Sequence, residues 1–163
     1  MSDVDREQRL WDLLADLEVR RLAYEYAATI DARDWEGLAA VLADDVVVEY
    51  HNGRSVVTGA TEVVTYVRQN TQHLAWQHHL VSPYAVTVDG DSARGRTYLL
   101  SHQSFLEDAG HIVTMAAYYD ISYTRTGGRW QIAQMTHTIA MTNYLPLSAA
   151  TPSGVDIPPA VAP

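Results

Sequence analysis

The residues with the clearest chemical potential are one aspartate and three of the chain's seven histidines. Asp31 stands where a helical pattern ends. His78 and His79 are adjacent at the start of a strand pattern, and His102 lies in the next one. A histidine titrates near neutral pH, and a carboxylate bonded to one ring nitrogen fixes the tautomer and stabilises the imidazolium. Such a pair can remove a proton beside a carbonyl group, so these residue types indicate general acid–base chemistry.

The same residues also have purely structural interpretations. Adjacent residues of a strand point to opposite faces, so only one of His78 and His79 can face a cavity. Asp31 could equally be a solvated residue of a polar turn. Two histidines and a carboxylate could bind a metal ion. Acid–base chemistry needs no metal and no organic cofactor, and we expect neither.

Helical patterns dominate the first part of the chain. Apolar spacing predicts one long helix over about residues 6–30. Its predicted buried stripe consists of Leu10, Leu14, Leu17, Leu22, Tyr26 and Ile30. A short second helix begins near Trp35, and Thr61 is a predicted cap of a third.

Strand patterns dominate the rest. Asn52 and Gly53 predict a tight turn between two short strands, 46–50 and 55–58. Four longer strands separated by turn residues are predicted over 77–88, 93–106, 111–126 and 129–141. Helices followed by neighbouring antiparallel strands indicate the α+β class. We expect a mostly antiparallel sheet that curves around the long helix and leaves a cavity at its open end.

Composition narrows the class of protein. The 163 residues suit a single domain, predicted over 1–147. The proline-rich residues 148–163 are predicted to form a tail that is flexible or draped over the surface. The net charge of −9 argues against nucleic acid or an anionic membrane as a partner. Cysteine and lysine are absent, which excludes thiolate chemistry and a Schiff base. Without a long apolar run or a secretory leader pattern, the expected location is the cytoplasm.

Several segments resemble a known enzyme family. The run YEYAATIDARDWEGL, residues 24–38, resembles the helix–turn–helix of scytalone dehydratase. Further matching segments are Tyr50, 77–78 and 101–103, and the ending 143–147 resembles that of hexachlorocyclohexane dehydrochlorinase. Both families belong to the SnoaL-like branch of the nuclear transport factor 2-like superfamily. The resemblance covers about residues 8–147 and implies a cone-shaped α+β barrel.

The resemblance also implies roles for individual residues. Asp31 and His78 fall on the family's Asp–His dyad, His102 on a second histidine, and Tyr50 on a water-positioning tyrosine. The family's other such tyrosine falls on Ile30, which puts scytalone itself in doubt as the substrate. The expected substrate-binding residues are Tyr24, Trp35, Met115 and Tyr119.

The function implied is a cofactor-independent lyase that eliminates water from a hydrophobic, oxygenated small molecule of natural-product metabolism. A polyketide or terpenoid cyclase or isomerase of the SnoaL-like type is the alternative, and a non-catalytic ligand-binding or association module is the second alternative. The related enzymes also lead us to expect a homo-oligomer, a trimer more readily than a dimer. Tyr118 or His137 is the expected interface residue.

Overall fold

The computed structural model describes residues 3–108 and 110–146. The predicted tail over 148–163 lies outside the described residues. Three helices and six strands follow in the α+β order that the sequence predicts. They are α1 (Asp3–Ala32), α2 (Trp35–Ala40), β1 (Leu42–Tyr50), β2 (Ser55–Thr58), α3 (Ala60–Thr71), β3 (Leu74–Asp89), β4 (Ser92–Phe105), β5 (His111–Thr126) and β6 (Arg129–Pro146).

Helix α1 contains no glycine or proline, and it ends where Arg33 adopts a left-handed φ of 56°. The sheet covers this helix only from about Ala15 onward, where the buried residues begin. The second half of the predicted stripe is confirmed by the burial of Leu22, Tyr26 and Ile30. Its first half is wrong, because the side chains at the N-terminal end of the helix are exposed. These are Leu10, Leu14 and Leu17.

The two short helices begin at different kinds of cap. The Asp34 carboxylate accepts a hydrogen bond from the Gly37 amide at 2.9 Å and so caps α2. Helix α3 begins after Gly59, which has a φ of 97° and donates its amide hydrogen to the Val46 carbonyl. Only glycine adopts that φ readily, so Gly59 takes the cap position predicted for Thr61.

The strands form one open sheet in the order β2-β1-β6-β5-β4-β3. Neighbours are antiparallel except β1 and β6, which are parallel. Register shifts interrupt the ladders, including one between Pro83 and Ala85, and such bulges bend strands. The core lies between the helices and one face of this sheet, and it includes Tyr26, Leu38, Leu42, Val48, Ile132 and Met135. Within the described residues, no helix is both long enough and apolar enough to cross a bilayer.

Candidate active site

Three long-range hydrogen bonds connect the C-terminal end of α1 to the edge strand β3. The Gln77 amide donates to the Ile30 carbonyl at 2.7 Å, and the Arg33 guanidinium donates to the Leu74 carbonyl at 2.6 Å. The third hydrogen bond runs from the backbone amide of His79 to Oδ2 of Asp31, at 2.8 Å. The last turn of α1 is therefore held at a fixed position against β3.

Asp31 also binds the ring of His79. Its Oδ1 lies 2.5 Å from Nδ1 of His79, so the two carboxylate oxygens hold the backbone and the ring of the same residue. The His79 side chain is only 9% exposed and lines a cavity. Because Nδ1 donates to the carboxylate, the neutral ring has its lone pair on Nε2. The arrangement fixes the tautomer that a general base requires.

The structure corrects the predicted partner of Asp31, which is His79 and not His78. Residues alternate between the faces of a strand, and the register places His78 opposite His102 and His79 opposite Ser101. His78 is exposed on the outer face, where its ring stacks on those of Trp76 and His102 at 6.1 and 6.2 Å. His102 therefore also lies on the outer face and does not line the cavity. The partner of Asp31 in the structure is therefore one residue along β3 from the one that the resemblance implies.

The cavity has a volume of about 290 Å³, near the lower end of the range for small-molecule sites. Three of the predicted site residues line it, namely Tyr50, Met115 and Tyr119. Tyr24 does not line the cavity, and it is 51% exposed. Trp35 packs against the hydrophobic core and is not part of the lining, so the structure places neither of these two predicted residues at the cavity.

The cavity lining also includes aromatic residues that were not predicted as site residues, among them His51, Tyr66 and His137. Tyr66 stacks on Tyr50 at 4.8 Å, and its hydroxyl lies 3.3 Å from Nδ1 of His51. His137 lies 5.1 Å from Tyr119 and 5.7 Å from His51, measured between ring centroids. His137, one of the two expected interface residues, is buried and lines the cavity. We call these five rings the Tyr–His cluster.

Burial controls the protonation of this cluster. It lowers the pKa of His137 to about 4, with smaller contributions from His51 and His79. Burial also lowers the pKa of His51, and Arg54 adds to the effect. The pKa values of Tyr50 and Tyr119 are raised, again mainly by burial. At neutral pH, His137 is therefore neutral and both tyrosines keep their protons.

Two further residues that line the cavity carry a buried polar atom without a hydrogen-bond partner among the described residues. These atoms are the Ser101 hydroxyl and the Gln77 Oε1. Both residues line the cavity, and Ser101 lies directly opposite His79 on the neighbouring strand. Within the same described residues, no cluster of three or more acidic, histidine or cysteine side chains is placed to hold a metal ion.

Comparison with known proteins places the chain in a family. Residues 11–136 match the model of the SnoaL-like domain. The chain belongs to the SnoaL-like domain family. An uncharacterized protein of Mycobacterium tuberculosis is 24% identical over 122 residues, which cover 75% of this chain and 83% of the relative.

Several solved structures share the fold. The LinA-type3 hexachlorocyclohexane dehydrochlorinase of Novosphingobium barchaimii matches with a TM-score of 0.74 and 20% identity, covering 99% of this chain and 100% of that one. A Novosphingobium aromaticivorans protein assigned as a scytalone dehydratase matches with a TM-score of 0.74 and 18% identity, over 89% and 97%. At these identities the matches show the fold, and they confirm the predicted cone of helices and curved sheet.

Proposed function

We propose that this SnoaL-like chain is a cofactor-independent lyase that eliminates water from a neutral β-hydroxy carbonyl compound. The observation that carries the proposal is the His79 ring, which Asp31 holds by Nδ1 at 2.5 Å while the ring lines a cavity of about 290 Å³. A base fixed in one tautomer beside a small-molecule cavity is suited to removing a proton from carbon.

The reaction begins at Nε2 of His79. This nitrogen takes the proton from the carbon beside the substrate carbonyl, and the electron pair of that C–H bond becomes an enolate. The imidazolium is stabilised by the Asp31 carboxylate behind it. The enolate electrons then form the C=C bond as the β C–O bond breaks, and the departing hydroxyl takes the proton back from Nε2 to leave as water. The products are an unsaturated ketone and water, and His79 is neutral again.

Two sets of hydroxyl groups can assist this sequence. The hydroxyl oxygens of Tyr26 and Tyr50 are 2.8 Å apart, so one hydroxyl donates its hydrogen to the other. The hydrogen of the accepting hydroxyl is then free to be donated into the cavity. A hydroxyl of this kind stabilises the oxygen of an enolate. Ser101, directly opposite His79, is placed to bind the departing hydroxyl through its unpartnered Oγ.

The test uses a β-hydroxy-β-phenyl ketone, whose dehydration gives a conjugated ketone with strong ultraviolet absorption. We expect the wild-type protein to form this product without added metal or cofactor. His79→Ala should lower turnover by roughly 10²–10⁴-fold, which is the usual contribution of a general base. His102→Ala, on the outer face of the same strands, is the matched control and should retain turnover.

The same measurement in deuterated water separates elimination from its alternative. Deuterium uptake beside the carbonyl without loss of water would indicate the isomerase or cyclase chemistry that also begins with proton removal. No uptake and no product, in a folded protein, would contradict a catalytic role for the cavity.

We also propose a homo-oligomer, with a trimer as the first expectation. The outer face of β3 and β4 exposes large apolar and aromatic side chains, which favours burial against another chain. They include Trp76, Leu80, Tyr98 and Leu100. Sedimentation of the wild-type protein at micromolar concentration tests this, since a monomer would contradict any oligomer and a dimer would contradict the trimer.

A further inference from the structure

His137 is a buried histidine that the proposed proton transfer does not use. Its side chain faces the cavity, the residue is 7% exposed, and Nε2 has no hydrogen-bond partner among the described residues. A buried polar group left without a partner costs about 1–3 kcal/mol of stability. Because His137 is one of the residues that line the cavity, a molecule bound there is the available source of the missing partner.

The neighbours of His137 form flat walls around it. The ring of Tyr119 lies 5.1 Å away, that of His51 5.7 Å away and that of Tyr50 6.4 Å away, and Tyr66 stacks on Tyr50. Aromatic rings pack well against the face or edge of another ring. The Tyr–His cluster therefore gives the cavity an aromatic lining, which favours a planar ring that carries a polar group.

The charge of the cavity lining indicates which kind of polar group the ligand carries. Within the described residues, the cavity lining includes no arginine, aspartate or glutamate, and the chain has no lysine. Burial keeps His137 neutral by lowering its pKa to about 4. An anionic substituent would lose its hydration without gaining a permanent counter-charge, whereas a hydroxyl or carbonyl group needs only a hydrogen bond.

We propose that Nε2 of His137 binds an uncharged hydroxyl or carbonyl group of the ligand, and that the cavity thereby selects neutral oxygenated ring compounds over anionic ones. His137 is then a specificity-determining residue and not the base. The inference deepens the proposed function, on which the cavity's role as an active site rests, but its test measures binding and requires no turnover.

The experiment compares three para-substituted toluenes, namely p-cresol, p-xylene and p-toluate, by their Kd values. They carry a hydroxyl, a methyl and a carboxylate group at the same position of the same ring. In the wild-type protein we expect p-toluate to bind more weakly than p-cresol. In His137→Leu, the preference for p-cresol over p-xylene should fall by roughly 3- to 10-fold, as expected for one hydrogen bond.

Two matched variants and one spectroscopic signal keep the test decisive. His137→Gln retains a hydrogen-bonding amide and should keep much of the preference, and His102→Leu, on the outer face, should keep all of it. In the wild-type protein, p-cresol should shift the imidazole nitrogen NMR signal of His137. This signal and the His137→Gln variant decide the question if His137→Leu does not fold.

Several results would overturn the inference. They are an unchanged preference in His137→Leu, an unmoved His137 signal, p-toluate binding as tight as that of p-cresol, or no p-cresol binding to the wild-type protein. Failure of the proposed function has a different signature, which is full turnover in His79→Ala or no turnover in the wild-type protein. Neither of these changes the Kd ratios, so the two failures are distinguishable.

Discussion

On the inner face of β3 and β4, His79 and Ser101 lie opposite each other in the cavity, whereas the next pair along, His78 and His102, stacks 6.2 Å apart on the outer face. Both pairs have ordinary cross-strand geometry. They differ in what surrounds them, because the side chain of His79 is only 9% exposed and contacts Asp31, whereas His78 is exposed. The chemistry expected of a histidine here depends on the element packed behind its ring, and not on the residue type or on its neighbours in sequence.

The largest effect should come from removing the inner pair. His79→Ala removes the proposed base, and Asp31→Asn removes the group proposed to fix its tautomer and to stabilise the imidazolium. We expect losses in kcat of roughly 10²–10⁴-fold for His79→Ala and a smaller loss for Asp31→Asn. The double variant should be no slower than His79→Ala alone, because residues that act as a unit are non-additive.

Asp45→Asn is the matched control for Asp31→Asn, since Asp45 is exposed and lies away from the cavity lining. It should leave kcat unchanged. Losses that multiply in the double variant would show that Asp31 and His79 act independently, contrary to the account.

The next largest effect concerns the pH dependence of stability. His137 has a pKa of about 4 in the folded chain and an ordinary value of 6.5 when unfolded. The unfolded state therefore binds this proton more readily than the folded state does. The contribution of neutral His137 to the free energy of unfolding is complete above pH 6.5, and it is lost as the pH falls towards 4. The full difference is about 3 kcal/mol in the free energy of unfolding.

Denaturant unfolding of the wild-type protein and His137→Gln across this pH range measures the difference. The variant should lose less stability on acidification than the wild-type protein does. Equal losses would mean that His137 titrates normally and is not shielded from water.

A smaller effect is expected for the buried hydroxyl pair. Tyr26 and Tyr50 share a hydrogen bond of 2.8 Å, and Tyr26→Phe leaves the Tyr50 hydroxyl buried without that partner. We expect a loss of about 1–3 kcal/mol in the free energy of unfolding. Tyr84→Phe, at an exposed position, should change it by less than about 0.5 kcal/mol. A similar value for both variants would contradict the buried pairing.

The smallest effect should come from the outer pair. His78→Ala and His102→Ala each remove a stacked, solvent-accessible ring, and they should change the free energy of unfolding of the isolated chain by about 0.5 kcal/mol or less. Thermal unfolding at low protein concentration measures this. A change above about 2 kcal/mol in either variant would show a structural role that the exposed position does not predict.

The order of helices and strands could be predicted from the sequence because turn residues and apolar spacing are local patterns. Turn residues such as Gly127 and Gly128, which adopt positive φ values, end strands wherever the chain must reverse. The exposed start of α1 was missed because apolar spacing does not reveal how far along the helix the sheet reaches. Leu10 and Leu14 have the helical spacing of a buried stripe and yet are exposed.

The site was predicted in composition but not in register. Asp31, Tyr50, Met115 and Tyr119 were all chosen, and the structure places Asp31 on His79 and the other three around the cavity. His78 and His79 could not be told apart, because alternation gives opposite faces without saying which face is inner. In the structure, the hydrogen bond from the His79 amide to Asp31 shows which histidine lies on the inner face. It joins residues 48 positions apart, so the local sequence pattern does not contain it.

The central claim is that His79, and not His78, is the base, and it can be tested without the natural substrate. Nitrobenzisoxazole is a neutral ring compound that opens when a base removes one proton from carbon, which breaks its N–O bond and releases a coloured phenolate. We expect the wild-type protein to accelerate this opening, His79→Ala to lower the rate by roughly 10²–10⁴-fold, and His78→Ala to keep it within about twofold. A rate that depends on His78 and not on His79, or a wild-type rate equal to that of free imidazole at the same concentration, would contradict the account.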